Sequence, residues 1–299
     1  MPHTPLILDE EFDNEAAHQL LDALRSKVKS QTSVSQSVYK RDKNVEDLHK
    51  LEQYISASFC NIGQPSRVRV AYILKKGTLG RRLPIVQKDD ACDGLPCLCT
   101  LPKRLRSWLA APLYHDIDME NAQPALLLQL CDRHDLPAPR LKHYIKCREE
   151  ILQGIQSCNV DRDDAKELIL RLIFHGSVDA WERDMSSQYS GVFDADKLPA
   201  FVLRFQDELD RNMGTLVDLY PLAKKQQQLT KPDGPNPLGT AFAYLIQDLE
   251  RQCMEAAVAA AQYDGYTVGS LIYDGMLIKR RGSCKSLKCC CSNPPVVAK

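Results

Sequence analysis

Residues 111–131 read APLYHDIDMENAQPALLLQLC. The stretch up to Asp118 has the alternation of a strand, and the apolar run that follows it has the length and composition of a helix, so a strand is predicted to run straight into a helix at Asp118. Outward from this junction, residues 67–86 contain VRVAYIL and LPIV, which predict two strands joined by the basic turn KKGTLGRR. On the far side, TVGSLIYDGMLIKRR (267–281) predicts two short strands around Asp274-Gly275, a dipeptide suited to a type I′ hairpin turn. The class is therefore α+β, with a long helical block inserted between strands that must meet across it. That meeting would bring Asp118 and Asp274 to the end of one sheet.

The rest of the chain reads mostly as helix. Residues 10–30 place Phe12, Leu20, Leu21, Leu24 and Val28 at helical spacing, and residues 44–60 do so with Val45, Leu48, Leu51, Ile55 and Phe59. Further helical patterns cover 139–157, 163–175, 197–219 and 238–262, while 88–100 and the Pro- and Gln-containing 220–237 read as loops. Five segments result: an N-terminal helical region (1–64), a strand region (65–122), a helical insertion (123–265), a closing hairpin (266–281) and a cysteine-rich basic tail (282–299) expected to be disordered. There is no internal repeat. The N-terminal acids Asp9, Glu10, Glu11, Asp13 and Glu15 are expected to face away from any polyanion.

Composition sets limits on function. The 299 residues carry 39 basic and 39 acidic side chains, so the net charge of zero excludes a globally basic nucleic-acid binder and leaves only local patches for that role. Such patches are Lys75-Lys76, Arg81-Arg82, Lys103, Arg104 and Arg106, and the tail. No apolar run approaches the roughly 20 residues of a membrane span, and the start turns acidic at once, so a non-secreted, intracellular chain is expected, nucleus and cytoplasm not being separable. The 12 cysteines lack paired C-x2-C spacing: Cys92, Cys97 and Cys99 form one group, and Cys284, Cys289, Cys290 and Cys291 another. Loop or tail thiols are the expectation, not a zinc site.

Two carboxylates from separate elements, at a strand end and a hairpin tip, suit a divalent cation whose remaining ligands are phosphate oxygens. Asp is also favoured at helix starts and turns for structural reasons alone, so spacing by itself leaves both readings open. Asp116, two residues earlier on the same strand face, is a candidate accessory ligand. In the helical block, Arg162, Lys166, Leu170 and Phe174 recur every four residues, lining two cations and an aromatic along one helix face. That face could hold a triphosphate and stack a base, or be a solvated face with a core phenylalanine.

Together these motifs resemble the palm and fingers of family A DNA polymerases and the related single-subunit phage-type RNA polymerases, most of all the transposon and virophage polymerase family. DMENAQPALLLQL from Asp118 resembles motif A, and R162-x3-K166-x3-L170-x3-F174 follows the spacing of motif B, with His175 before Gly176 as a departure. NPLGTAFAYLIQDLE from Asn236 is similar to the helix that packs on primer-template, and LIYDGMLI resembles motif C, with Tyr273 before Asp274. The likeness runs from Leu101 to Lys279. It implies a polymerase-like palm sheet with a long helical fingers insertion, and a DNA polymerase that extends a primer 3′-hydroxyl with two Mg2+ ions held by Asp118 and Asp274. It further implies that Arg162 and Lys166 contact the incoming deoxynucleoside triphosphate, Phe174 packs beside the nascent pair, and Gln123 takes the sugar-discriminating position. Asn236, Arg104 and Arg106 would contact DNA. A replicating mobile or virus-like element and a superfamily 3 helicase partner are also implied. The abnormal tail suggests a shortened copy, and an inactive nucleic-acid-binding fragment or a primase or RNA polymerase with the same palm are the rival expectations.

Overall fold

The computed structural model describes residues 4–31, 38–59, 65–74, 79–86 and 95–280. Lys75-Lys76, Cys60, Cys92 and the tail with Cys284, Cys289, Cys290 and Cys291 lie outside the described residues. The architecture is α+β, mostly helical with two small antiparallel sheets. It divides into two compact units, the first made of residues 1–75, 82–119 and 252–299, the second of 76–81 and 120–251.

The first unit opens with strand β1 (Leu6–Phe12), followed by helices α1 (Asn14–Gln31) and α2 (Val38–Ser56), strands β2 (Ser66–Ile73) and β3 (Leu83–Val86), helix α3 (Lys103–Ala110) and strand β4 (Tyr114–Asp118). One sheet has the order β1-β2-β3. The opening strand corrects the expectation that the N-terminal region is helical from residue 10. In LILDEEF, Leu8, Glu10 and Phe12 point into the core, and the acids conceal the alternation. Glu10 is wholly buried because its carboxylate accepts from Ser270 Oγ (2.7 Å) and the Leu98 amide (2.8 Å). Glu11 is likewise buried, ion-paired with Arg67 (3.1 Å) and Lys279. These two acids are therefore interior groups, held by partners within the fold. Phe12 packs on Tyr54 at 5.1 Å, in a core that includes Leu51, Val68, Val70, Leu98 and Leu109.

The second unit holds α4 (Ala122–Arg133), α5 (Pro139–Lys146), α6 (Arg148–Gln156), α7 (Arg162–Ile173), α8 (Val178–Gln188), α9 (Ala200–Leu219), α10 (Pro221–Thr230) and the first part of α11 (Pro237–Tyr263). The expected helix over 139–157 is two helices, broken at Cys147. Residues 221–230, expected as loop, are helical: Pro221 sits at the first helical position and Lys, Gln and Leu are good helix formers. Asp161 caps α7 in a capping box with Asp164, and the buried Glu208 caps α5 by accepting from the Arg140 (3.0 Å) and Leu141 (2.9 Å) amides.

After α11 the chain returns to the first unit as β5 (Val268–Ile272) and β6 (Gly275–Lys279), giving a second sheet of order β4-β6-β5. The two sheets of this unit are joined by polar contacts: the Tyr72 hydroxyl lies 3.0 Å from Ser270 Oγ and accepts from the Leu271 amide at 3.1 Å. The hairpin turn is formed by Tyr273 and Asp274, since Ile272 pairs with Gly275. The turn thus sits one residue earlier than the Asp274-Gly275 expectation, and Tyr273, not the glycine, takes the left-handed backbone (φ 54°).

Candidate metal and nucleotide site

The register of β4 on β6 places Asp118 directly opposite Gly275, and the Met119 amide donates to the Asp274 carbonyl at 3.1 Å. Asp118 and Asp274 are thereby cross-strand neighbours at one end of a three-stranded sheet. Asp118 is exposed and Asp274 half-buried, so both can meet a ligand from solvent. Asp116 is exposed two residues back on the same strand, opposite Leu277.

The reason for glycine at 275 lies in this pairing. A Cβ there would meet the Ile117 carbonyl at 2.8 Å and Asp118 Oδ1 at 3.1 Å. The glycine leaves a notch over which the Asp118 carboxylate lies, and any side chain would push that carboxylate aside. Asp118 and Asp274 on neighbouring strand ends supply the hard oxygen donor type that a Mg2+-like cation takes, with water and phosphate oxygens needed for the remaining positions. Among the described residues no group of three or more His, Cys, Asp or Glu could hold a metal by itself. The left-handed Tyr273 is a strained conformation for an aromatic residue, found immediately beside the carboxylate the turn presents.

The other expected site residues are distributed as follows. Arg162 and Lys166 lie one turn apart on α7 in the second unit. The Arg162 guanidinium is bound by Glu149 (2.6 Å), which raises the pKa of the arginine and lowers that of the glutamate. Phe174 caps the end of α7 and packs on Phe242 at 6.3 Å, and Gln123 is half-buried on α4. Asn236, expected at DNA, is an internal clamp. Its Nδ2 donates to the Phe174 (2.9 Å) and His175 (3.1 Å) carbonyls and its Oδ1 accepts from the Gly239 amide (2.8 Å), in the first turn of α11. Gly239 is required there because a Cβ would lie 2.1 Å from the Phe174 carbonyl. Arg104, also expected at DNA, binds the buried Asp47 and the Asn44 side chain (3.1 Å). Arg106 donates to the Leu101 carbonyl at 3.3 Å and is half-buried.

Sequence reading passed over two features of this region. His175 has a left-handed backbone (φ 58°) and its Nδ1 lies 2.9 Å from Asp210 Oδ1, a pairing between residues with no local signal. The notch at Gly275 was read as turn chemistry, although the glycine's closest neighbours are on the adjoining strand.

Among the described residues no helix is long and apolar enough to cross a membrane. No protein-family model matches the chain. Over 187 residues it is 29% identical to the protein described as "Putative helicase V13" of Sputnik virophage, a match that covers 60% of this chain and 23% of that protein. The chain thus spans less than a quarter of the length of the relative it matches. This similarity overturns the DNA polymerase expectation, together with its primase and RNA polymerase alternatives: the relative is described as a helicase. The helicase link that was expected as a partner appears in the description of a relative instead.

Proposed function

We propose that the chain is a divalent-cation-dependent module acting on nucleotides, of the kind carried by a virophage helicase-type protein. The observation that carries this reading is the Asp118–Gly275 register, which brings the strand-end Asp118 alongside the hairpin turn that holds Asp274. The similarity to a protein described as a helicase supports a nucleotide as the ligand. The sequence contains no Gly-Lys dipeptide and hence no G-x4-G-K phosphate loop, so the chemistry proposed is not that of a P-loop motor.

In this reading Asp118 and Asp274 hold Mg2+, which when bound neutralises phosphate oxygens and lowers the pKa of an attacking hydroxyl or water. The sheet serves as the rigid frame that fixes the two carboxylates, and Asp116 orients solvent on the same face. Within the second unit, and as a set of their own, Arg162, Lys166, Phe174 and Gln123 are proposed to contact a nucleotide. Arg162 exchanges its Glu149 partner for phosphate, an exchange made inexpensive by the exposure of that pair.

The test is consumption of a nucleoside triphosphate by the full chain with Mg2+, with and without single-stranded DNA, in wild type, Asp118→Asn and Asp274→Asn. Turnover lost in both variants and in EDTA, with Mn2+ binding weakened in parallel, supports the reading. Turnover that survives both substitutions sinks it.

A further inference from the structure

We propose that the solvent face of α3 is a platform for single-stranded nucleic acid, on which a base stacks against Trp108 while Lys103 and Arg280 take up phosphates. The inference uses no metal and stands apart from the Asp118–Asp274 reading. Helix α3 is sharply two-sided. Leu105, Leu109 and Ala110 are buried, while Lys103, Arg104, Ser107 and Trp108 face solvent. The chain has two tryptophans: Trp181 is fully buried, and Trp108 is 55% exposed. An indole left in water forgoes the burial that its large apolar surface usually finds in a core. Trp108 does so on a helix whose other large apolar side chains are buried.

The charge of its own helix has one sign. KRLRSWLA contains three cations and no acid. Arg104 is neutralised by the buried Asp47. Among the described residues no ion pair engages Lys103, Arg106 or Arg280. Arg280 is pinned to the turn between α3 and β4. Its Nε donates to the Ala111 (3.2 Å) and Tyr114 (3.0 Å) carbonyls, and its amide to Leu113 (2.8 Å). The guanidinium therefore stays at the C-terminal end of α3, the end that carries Trp108. A flat aromatic face on a helix that carries cations and no acid of its own matches a nucleotide's base and phosphate together. A single strand is favoured over a duplex because stacking requires a base face that pairing partners and neighbouring bases do not cover. The local charge also answers the neutrality of the whole chain, since phosphate contact needs only a patch of this size.

The test is fluorescence anisotropy of a labelled oligothymidylate titrated with the full chain in EDTA at low salt. Trp108→Ala is expected to weaken binding about tenfold, and Trp108→Phe to retain most of it. Binding should quench tryptophan emission in wild type and leave it unchanged in Trp108→Ala, where Trp181 still reports. The Lys103→Ala/Arg280→Ala pair should reduce the salt slope by about 1.4, roughly 0.7 for each phosphate lost from a single strand. Circular dichroism melts establish that each variant is folded, and Trp108→Phe keeps the test decisive should the alanine variant unfold. Three results would overturn the proposal: affinity within about twofold in Trp108→Ala and Trp108→Phe alike, equal competition by duplex, or loss of a self-association with oligonucleotide affinity unchanged.

Discussion

Two acidic strand segments of the first unit meet opposite fates. In β1, Glu10 is turned inward, wholly buried, and satisfied by Ser270 and the Leu98 amide, and burial pushes its pKa up to about 7. In β4, Asp118 emerges at the end of the sheet, exposed, with the Gly275 notch beside it. Both are carboxylates in short, partly apolar strands. The difference teaches that an acid can meet a ligand from solvent only where the fold leaves it exposed, and that burial with hydrogen bonding turns the same chemistry into a structural tie.

The largest expected effect separates the two acids by function. Asp274→Ala should lower Mg2+-dependent nucleotide turnover by about a thousandfold, roughly 4 kcal/mol in the barrier, while urea melts move by less than about 0.5 kcal/mol. A variant that loses stability and activity together would erase the distinction from Glu10.

Glu10 itself should control stability through pH. Its folded pKa of about 7 exceeds the ordinary 4.5, so between those values the native state holds a proton that the unfolded chain releases. Stability from this group is present in full below about pH 4.5, falls as pH rises toward 7, and is lost above it, by up to about 3 kcal/mol. Glu10→Gln should flatten this dependence in urea melts taken from about pH 5 to pH 8. An unchanged slope would show that the interior carboxylate does not titrate as its burial requires.

Gly275→Ala sharpens the comparison at the exposed end. Its Cβ would crowd the Ile117 carbonyl and Asp118 Oδ1, so a loss of about 1–3 kcal/mol is expected, with weaker Mn2+ binding. Asn236→Ala, in the second unit, should cost about 1–2 kcal/mol by leaving the Phe174 and His175 carbonyls and the Gly239 amide without their partner. Mn2+ binding should not change in it. The smallest effect is assigned to Tyr273→Gly. Relief of the left-handed backbone should raise stability by less than about 1 kcal/mol in thermal melts, and a decrease would mean that the tyrosine contributes more than its strain costs.

Legibility followed the strength of local patterns. The strand-to-helix junction at Asp118, the hairpin around Asp274 and the long apolar helices announce themselves by period and length, and the structure has each of them. Strand β1 was hidden because two of its inward-facing or enclosed residues, Glu10 and Glu11, are acids whose partners Ser270 and Lys279 come from the opposite end of the chain. Helix α10 was hidden by a proline that starts it and by glutamines that suit loops as well as helices. Asn236 and Arg104 looked like surface contacts because their internal partners, the Phe174 turn and Asp47, are distant in sequence. The DNA polymerase activity that the motif spacing implied is the reading that the virophage similarity overturns.

By itself the sequence determined the α+β class, the helical insertion and the two aspartates at element ends, because those depend on periodicity and on residues next to one another. The tertiary structure alone decided which acids are interior and which are presented, why residue 275 is glycine, and that Trp108 stays in solvent while Trp181 does not. Those outcomes depend on register and burial, which are set by partners far along the chain and by the desolvation each side chain meets where it comes to rest.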